Sequence, residues 1–273
     1  MLVEGVRMPV TQIGEASTVL NDLLDRITIR NRAGIRPAAE ALHGFGMSLG
    51  GLRTAACANI ASKDPMVDGG GAILAAEVFG WCKPGERWWS RPHLALTSPL
   101  TIACRYETDP FWCNKSGIYT QQHNPQLVNL DLSDFLERAM TAGAIVIPIH
   151  LAYGQIGAVS FQPAGTDRTD LSQEFAAYGE LLGLCARKFV SSYVKVMEKP
   201  QWISADVRLS MRENECLRWA AVGKTDSEIA VILSRSCATI RFHIHNAALK
   251  LNAVNRSQAI FKAGQLGYLG SVN

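Results

Sequence analysis

The 273-residue chain has no apolar run approaching the eighteen or more residues needed to cross a bilayer. Its first thirty residues carry Glu4, Arg7, Glu15, Asp22 and Asp25 where a signal peptide would hold a hydrophobic core. A soluble, cytoplasmic protein with no membrane partner is therefore expected. The seven cysteines never form a Cys-x-x-Cys pair. That spacing disfavours a structural zinc and suits thiols of a reducing compartment. A P-loop, a His-Glu-x-x-His and a Gly-x-Ser-x-Gly are all missing, and His243 and His245, two apart on a helix, face different ways. No catalytic residue, metal or cofactor is expected, and without a nucleophile–base pair the chain does not read as an enzyme. Strong charge is scarce too: 19% of residues are charged and 48% apolar, which excludes a largely disordered chain.

What is present concentrates near the C-terminus. Ser210 with Glu213 and Thr225 with Glu228 have capping-box spacing, Ser236 opens a third helix, and Asn255 with Gln258 a fourth. Gly223 supplies a left-handed residue between the first two. Helices are expected over about 213–222, 226–233, 237–251 and 256–266. In the third, Ile240, Ile244, Ala247 and Leu251 form an inward stripe against Leu217, Ile229 and Leu233. Its other face carries Ala238, Arg241, Phe242, His245 and Leu249, flanked by Thr239 and Asn246. Two short helices joined by a tight turn, the second with a basic and polar outer face, are one solution to reading a major groove. From residue 201 onward nine basic residues stand against five acidic ones, while the rest of the chain carries a net charge of about −1. Taken alone, that charge also fits a solvated helical bundle.

The segments Leu209-Ser-Met-Arg-Glu213, Trp219-Ala-Ala-Val-Gly223-Lys-Thr, Glu228-Ile-Ala, Thr239-Ile, His243, Asn246, Lys250-Leu251 and Asn255-Arg256-Ser-Gln-Ala259 resemble the DNA-binding domain of LuxR-type regulators. The resemblance implies a recognition helix from Cys237 to Leu251, with Arg241 as base reader and Thr239, Asn246 and Lys250 near phosphate. Phe242, His245 and Lys224 complete the expected DNA-facing set. It further implies that Ala259, Ala263 and Leu266 of the last helix meet a twin in a homodimer, that Glu213 is structural, and that double-stranded DNA and RNA polymerase are partners.

The preceding residues interleave helix and strand signals. Helices are expected around Ala16–Ile29 and Pro37–Met47, and a strand over Leu52–Ile60. Ala72–Trp81 fits strand or helix, and Leu130–Thr141 reads as a helix with Leu132, Phe135, Leu136 and Met140 inward, ended by Gly143. Ala144–His150 and Gln155–Phe161 form an antiparallel hairpin, in which Pro148 demands an edge or a bulge. A long helix follows, with Leu171, Phe175, Tyr178, Leu182, Cys185, Phe189, Tyr193 and Val196 as its stripe, ending at Pro200. The fold class expected is α+β: an N-terminal α/β/α sandwich with an antiparallel sheet, and a C-terminal four-helix helix-turn-helix domain. The organisation is an N-terminal extension (1–35), a sensor domain (36–197), a linker (198–208) and the DNA-binding domain (209–273).

Asp109-Pro110, Gly143 to Pro148-Ile149 and Tyr153-Gly154 resemble marks of the same family's autoinducer-binding domain, which implies a small acyl-homoserine-lactone-like ligand between sheet and helices. In that family a tryptophan and a tyrosine about thirteen and nine residues before the aspartate donate to the ligand; here those positions are Leu96 and Leu100. Each unpaired buried acceptor costs about 1–3 kcal/mol, so the ligand is altered or contacted differently. Asp109, Leu96, Leu100, Tyr106, Trp112, Trp88 and Trp89 form the expected ligand set, with Asp109 also readable as a plain turn residue and Trp81, Trp88 and Trp89 as core packing. The expectation is a dimeric, sequence-specific transcription regulator responding to such a signal. The alternative is a ligand-independent or altered-ligand regulator whose N-terminal domain serves dimerisation or protein contact.

Overall fold

The computed structural model describes residues 10–62, 64–80, 94–197 and 208–270. Trp81, Trp88, Trp89 and all but the last residue of the expected linker lie outside them. The chain divides into two compact units, one of Met1–Leu151 with Ile156–Met197, the other of Glu198–Asn273 with Ala152–Gln155.

The first unit is built on strand alternation. Its elements are α1 (Val10–Ile27), α2 (Ile35–Ser48), β1 (Leu52–Cys57), the single turns α3 (Leu74–Glu77) and α4 (Leu94–Thr97), α5 (Pro99–Tyr106), β2 (Phe111–Asn114), β3 (Gly117–Thr120), α6 (Phe135–Ala139), β4 (Gly143–His150), β5 (Ile156–Pro163) and α7 (Ser172–Met197). The strands form one antiparallel sheet in the order β1-β5-β4-β2-β3. Successive residues of a strand point to opposite faces. Ile145, Ile147, Ile149, Val159, Phe161, Leu52 and Trp112 accordingly join the core with α1, α2 and α7, while Ala144, Val146, Phe111 and Cys113 join a second core with α5 and α6. The result is an α/β/α sandwich. Ile27 and Ile29 are buried in the first core, so the described part of 1–35 packs within this unit.

Close packing needs glycine at one crossing. A Cβ on Gly46 of α2 would stand 2.7 Å from the Leu52 carbonyl oxygen and 2.9 Å from the Phe161 ring. Leu171, just before α7, and Phe175, Leu182, Cys185, Phe189 and Tyr193 on it are buried as the stripe requires, whereas Val196 is half-buried and Tyr178 is exposed.

Two expectations are corrected. The helix over 130–141 shrinks to Phe135–Ala139, because the Asp131 carboxylate takes the Ser133 N–H in a local turn and Asp134 and Met140 adopt left-handed backbone at φ 49° and 57°. Phe135 is buried but Leu136 is exposed, and Gly143 begins β4 instead of ending a helix. Pro148 sits in an interior strand, paired with Ala158 of β5. It is tolerated there because pairing with β2 stops at Val146 opposite Phe111, so β4 is a local edge at Pro148.

The second unit comprises α8 (Met211–Ala221), α9 (Asp226–Ile232), α10 (Cys237–Lys250) and α11 (Arg256–Gln265). Both expected capping boxes form in full, Ser210 with Glu213 and Thr225 with Glu228. Ser236 and Asn255 cap α10 and α11 by accepting the N–H groups of Thr239 and Gln258. Gly223, at φ 90°, turns α8 into α9. Among the described residues no helix is long and apolar enough to cross a membrane.

Candidate nucleic-acid interface and ligand cavity

In the second unit, α9 and α10 are joined by a tight turn through Ser234, whose φ of 51° reverses the chain. Ile240 and Ile244 pack against Cys216 and Ile229, and Ala247 and Leu251 against Leu217, so one side of α10 is fixed to α8 and α9. That anchoring decides what faces outward: Ala238, Arg241, Phe242, His245, Leu249 and Lys250 are exposed, with Thr239 and Asn246 half-buried at the edge.

The polar members of this face differ in their freedom. Arg241 has a side chain 71% exposed, with Nε 3.4 Å from Asp226 Oδ2. Asp226 is held on its other oxygen by Arg256, which also donates to the Lys224 carbonyl. A carboxylate thus steadies Arg241 without burying it. Lys224 lies 3.7 Å from Glu228. Thr239 Oγ1 is 2.8 Å from the Ser236 hydroxyl, so its side chain serves the helix cap. Lys250 points to Glu213 at 2.7 Å, which gives it a structural partner within the unit. Arg235, in the turn before α10, is exposed and has no carboxylate partner among the described residues; its guanidinium meets only the neighbouring Ser234 carbonyl. Arg235 is one of the nine basic residues of this end of the chain but falls outside the helix pattern, so periodicity assigns it no place on the outer face.

Ala259 and Ala263 of α11 are fully buried in the unit's own core, with Leu266 packed against it. The face expected to meet a twin is therefore occupied internally. What α11 exposes is Phe261, between exposed Ser257 and Gly264.

In the first unit, a cavity of about 90 Å³ lies on the face of the sheet that carries α5 and α6. Its floor is made by small residues paired across two strands, Ala55 opposite Ser160 and Cys57 opposite Ala158, with Gln162 at the end of the row. Leu100, Thr101 and Cys104 of α5 face them, and Met66 and Asp64 line one side. Gln162 is only 5% exposed, so its amide is the most buried polar side chain of that row. Burial pushes the Cys57 thiol up to about 11 and Cys104 well above its ordinary value, so both line the cavity as neutral, nearly apolar groups.

Of the expected ligand positions among the described residues, only Leu100 lines this cavity. Leu96 is exposed on α4 and Tyr106 at the end of α5. Asp109 is exposed, its N–H donating to Glu107 Oε1. Trp112 is buried on the opposite face of the sheet, stacked on Tyr119 with ring centroids 4.1 Å apart. Strand alternation is the reason: Phe111 and Cys113 take the cavity-side face, and Trp112 between them cannot. The groups missed, Gln162 and Ser160 above all, follow the period-two pattern of β5, but nothing local marks which face is hollow.

Residues 207–263 match the family model GerE, bacterial regulatory proteins of the luxR family. The chain is similar to the transcriptional activator protein VanR of Vibrio anguillarum, 38% identical over 125 residues, covering 45% of this chain and 50% of VanR. It is also similar to the transcriptional activator protein LuxR of Aliivibrio fischeri, 34% identical over 153 residues, covering 55% of this chain and 60% of that protein. The chain thus spans between half and three fifths of the length of these relatives. Among solved structures, SdiA in complex with octanoyl-rac-glycerol is similar over 98% of this chain and 100% of that one, with a TM-score of 0.48 and 19% identity.

Proposed function

We propose, starting from a C-terminal unit that belongs to the luxR family of bacterial regulatory proteins, that this chain is a dimeric, sequence-specific transcription regulator governed by a small amphipathic ligand. The observation that carries the reading is α10, fixed on one side by Ile240, Ile244, Ala247 and Leu251 and free on the other with Arg241, Phe242 and His245. Such a helix enters a major groove with base-reading side chains at its exposed face and cations beside the phosphates. Arg241 is the base reader in this scheme, and Arg235 and Lys224 sit near the backbone.

A closed two-fold pair needs a self-complementary patch. On α11, Phe261 with Ser257 and Gly264 lie at i, i+4 and i+7 of one face, a bulky ring between two small residues. Two copies placing this ring against the partner's glycine would set the half-sites about one helical turn apart.

The cavity supplies the ligand side. Burial of an apolar chain against Ala55, Ala158, Leu100 and Met66, with a polar end at Gln162, would stabilise the folded sensor by RT ln(1 + [L]/Kd). A second reading, a ligand-independent regulator, is favoured by the cavity's size. At about 90 Å³ it is well below the roughly 300–1,000 Å³ of pockets that enclose drug-sized ligands.

The first test is selection of duplex DNA from a random pool by the purified full-length chain. Enrichment of a two-fold symmetric site is expected, with affinity falling steeply as salt rises. Recovery of unselected sequence would overturn the DNA reading. Thermal unfolding with a graded series of acyl-homoserine lactones then separates the two sensor readings, since only the ligand-responsive one gives a concentration-dependent rise.

A further inference from the structure

The polar residues on the outer face of α10 do not account for its centre. At about 100° per residue, Ala238, Phe242 and Leu249 project within about 40° of one another, with His245 beside them, and Arg241 and Asn246 fall on either flank. Phe242 is 61% exposed and Leu249 is 63% exposed. The only ring contact of Phe242 among the described residues is an edge contact with His243 on its own helix, at 5.8 Å. Among the described residues this exposed aromatic belongs to neither hydrophobic cluster of its unit.

Resting on the DNA-binding reading above, we infer that Phe242 reads the 5-methyl group of a thymine in each half-site, with Arg241 giving the polar contact beside it. The charge on this side of the unit favours nucleic acid as the occupant. Arg241 is exposed, Arg235 has no carboxylate partner among the described residues, and the chain from residue 201 onward has nine basic against five acidic residues. Within a major groove the thymine methyl is the apolar feature of the base edges, while guanine, adenine and cytosine offer donors and acceptors that a phenyl ring cannot satisfy. A ring at the centre of the face therefore selects thymine where a serine or asparagine would select otherwise. Leu249 lies seven residues along, about 10 Å at 1.5 Å per residue, and extends the same ridge toward the end of the helix.

Deoxyuridine provides the test, because it differs from thymidine by that methyl alone. A site selected by the full-length protein is resynthesised with each thymidine replaced singly by deoxyuridine. Affinity is then measured for the wild type, Phe242→Ala and Phe242→Leu. At one thymidine per half-site the replacement is expected to weaken the wild type about fourfold, the worth of one buried methyl. It should leave Phe242→Ala unaffected and Phe242→Leu intermediate. A methyl effect that persists in Phe242→Ala, or no methyl effect at any position, overturns the inference while leaving the DNA reading intact. Failure of the wild type to select any sequence overturns both. If Phe242→Ala instead shifts the sedimentation coefficient of the free protein, the ring belongs to a contact between protein copies, and the inference is also overturned. Since the side chain is exposed, the circular dichroism of the variants should match the wild type.

Discussion

Lys250, the last residue of α10, places Nζ 2.7 Å from Oε2 of Glu213, which in turn accepts the Ser210 N–H at 2.7 Å. One carboxylate therefore closes the capping box of α8 and ties the end of α10 to its start. A residue expected from family resemblance to lie near phosphate is thus part of the frame that holds α10.

This arrangement sets a pH dependence. Burial pushes the Glu213 carboxyl up, but Lys250 and the N–H and hydroxyl of Ser210 outweigh it and hold the carboxyl below its ordinary value of 4.5. A carboxyl depressed in the folded state adds stability above its unfolded pKa, and that contribution is lost as pH falls through the folded value. Stability of the C-terminal unit should begin to fall below about pH 4.5, and Glu213→Gln should flatten that part of the curve. Lys250→Ala should cost about 1–3 kcal/mol at neutral pH, read as the thermal midpoint of the full chain. An unchanged midpoint with uniformly weaker DNA binding would show that Lys250 serves phosphate instead.

Arg241 and Arg256 share Asp226, yet the two should behave differently. Arg241 is mostly exposed, so its pairing with Asp226 adds little stability. Arg241→Ala should leave the thermal midpoint nearly unchanged while costing about 1–3 kcal/mol on the selected site and relaxing its sequence preference. Binding isotherms on selected and random duplexes check this, and equal losses on both would show that another side chain is the reader.

The helix-turn-helix was legible because its signals are local. Ser210 and Glu213, or Thr225 and Glu228, lie three residues apart, and each cap forms from neighbours in sequence. The cavity was not legible because it is assembled from β1, β5, β4, α5, Ser62 and residues 64–66, none of which carries a distinctive residue. Counting back from Asp109 selected Leu96 and Leu100, but α4 and α5 turn only the second of these inward. Trp112 misled for a related reason: a large aromatic draws attention, while its face is fixed by the register of β2 on β4. Likewise, Ala259 and Ala263 suit an external seam by their size, and equally suit the close internal packing they make.

Gln162 should report directly on the cavity. Gln162 is 5% exposed and lines the cavity, so Gln162→Met, similar in volume and with no amide to desolvate, should raise the thermal midpoint of the ligand-free protein. The same change should reduce whatever stabilisation a ligand with a hydrogen-bonding head confers. A lower midpoint would mean that Gln162 is satisfied in solution and is part of the core.

The crossing of α2 over the sheet offers a sharper test of packing, because its glycine has no room for a methyl group. A Cβ at Gly46 would meet a backbone oxygen of β1, which cannot swing aside, as well as the Phe161 ring. Gly46→Ala therefore sets a better helix former against a clash, and propensity favours alanine by only about 1 kcal/mol. Overpacking of this kind costs about 1–3 kcal/mol, and contact with backbone places the cost toward the upper end. The net expectation is a lower thermal midpoint for the first unit, with α2 displaced from β1. Gly44, two residues earlier, has nothing within 4 Å of such a Cβ, so Gly44→Ala should be neutral or stabilising. The two substitutions share chemistry and helix and differ only in what the methyl meets. Equal midpoints for the pair would therefore show that α2 does not approach the sheet this closely.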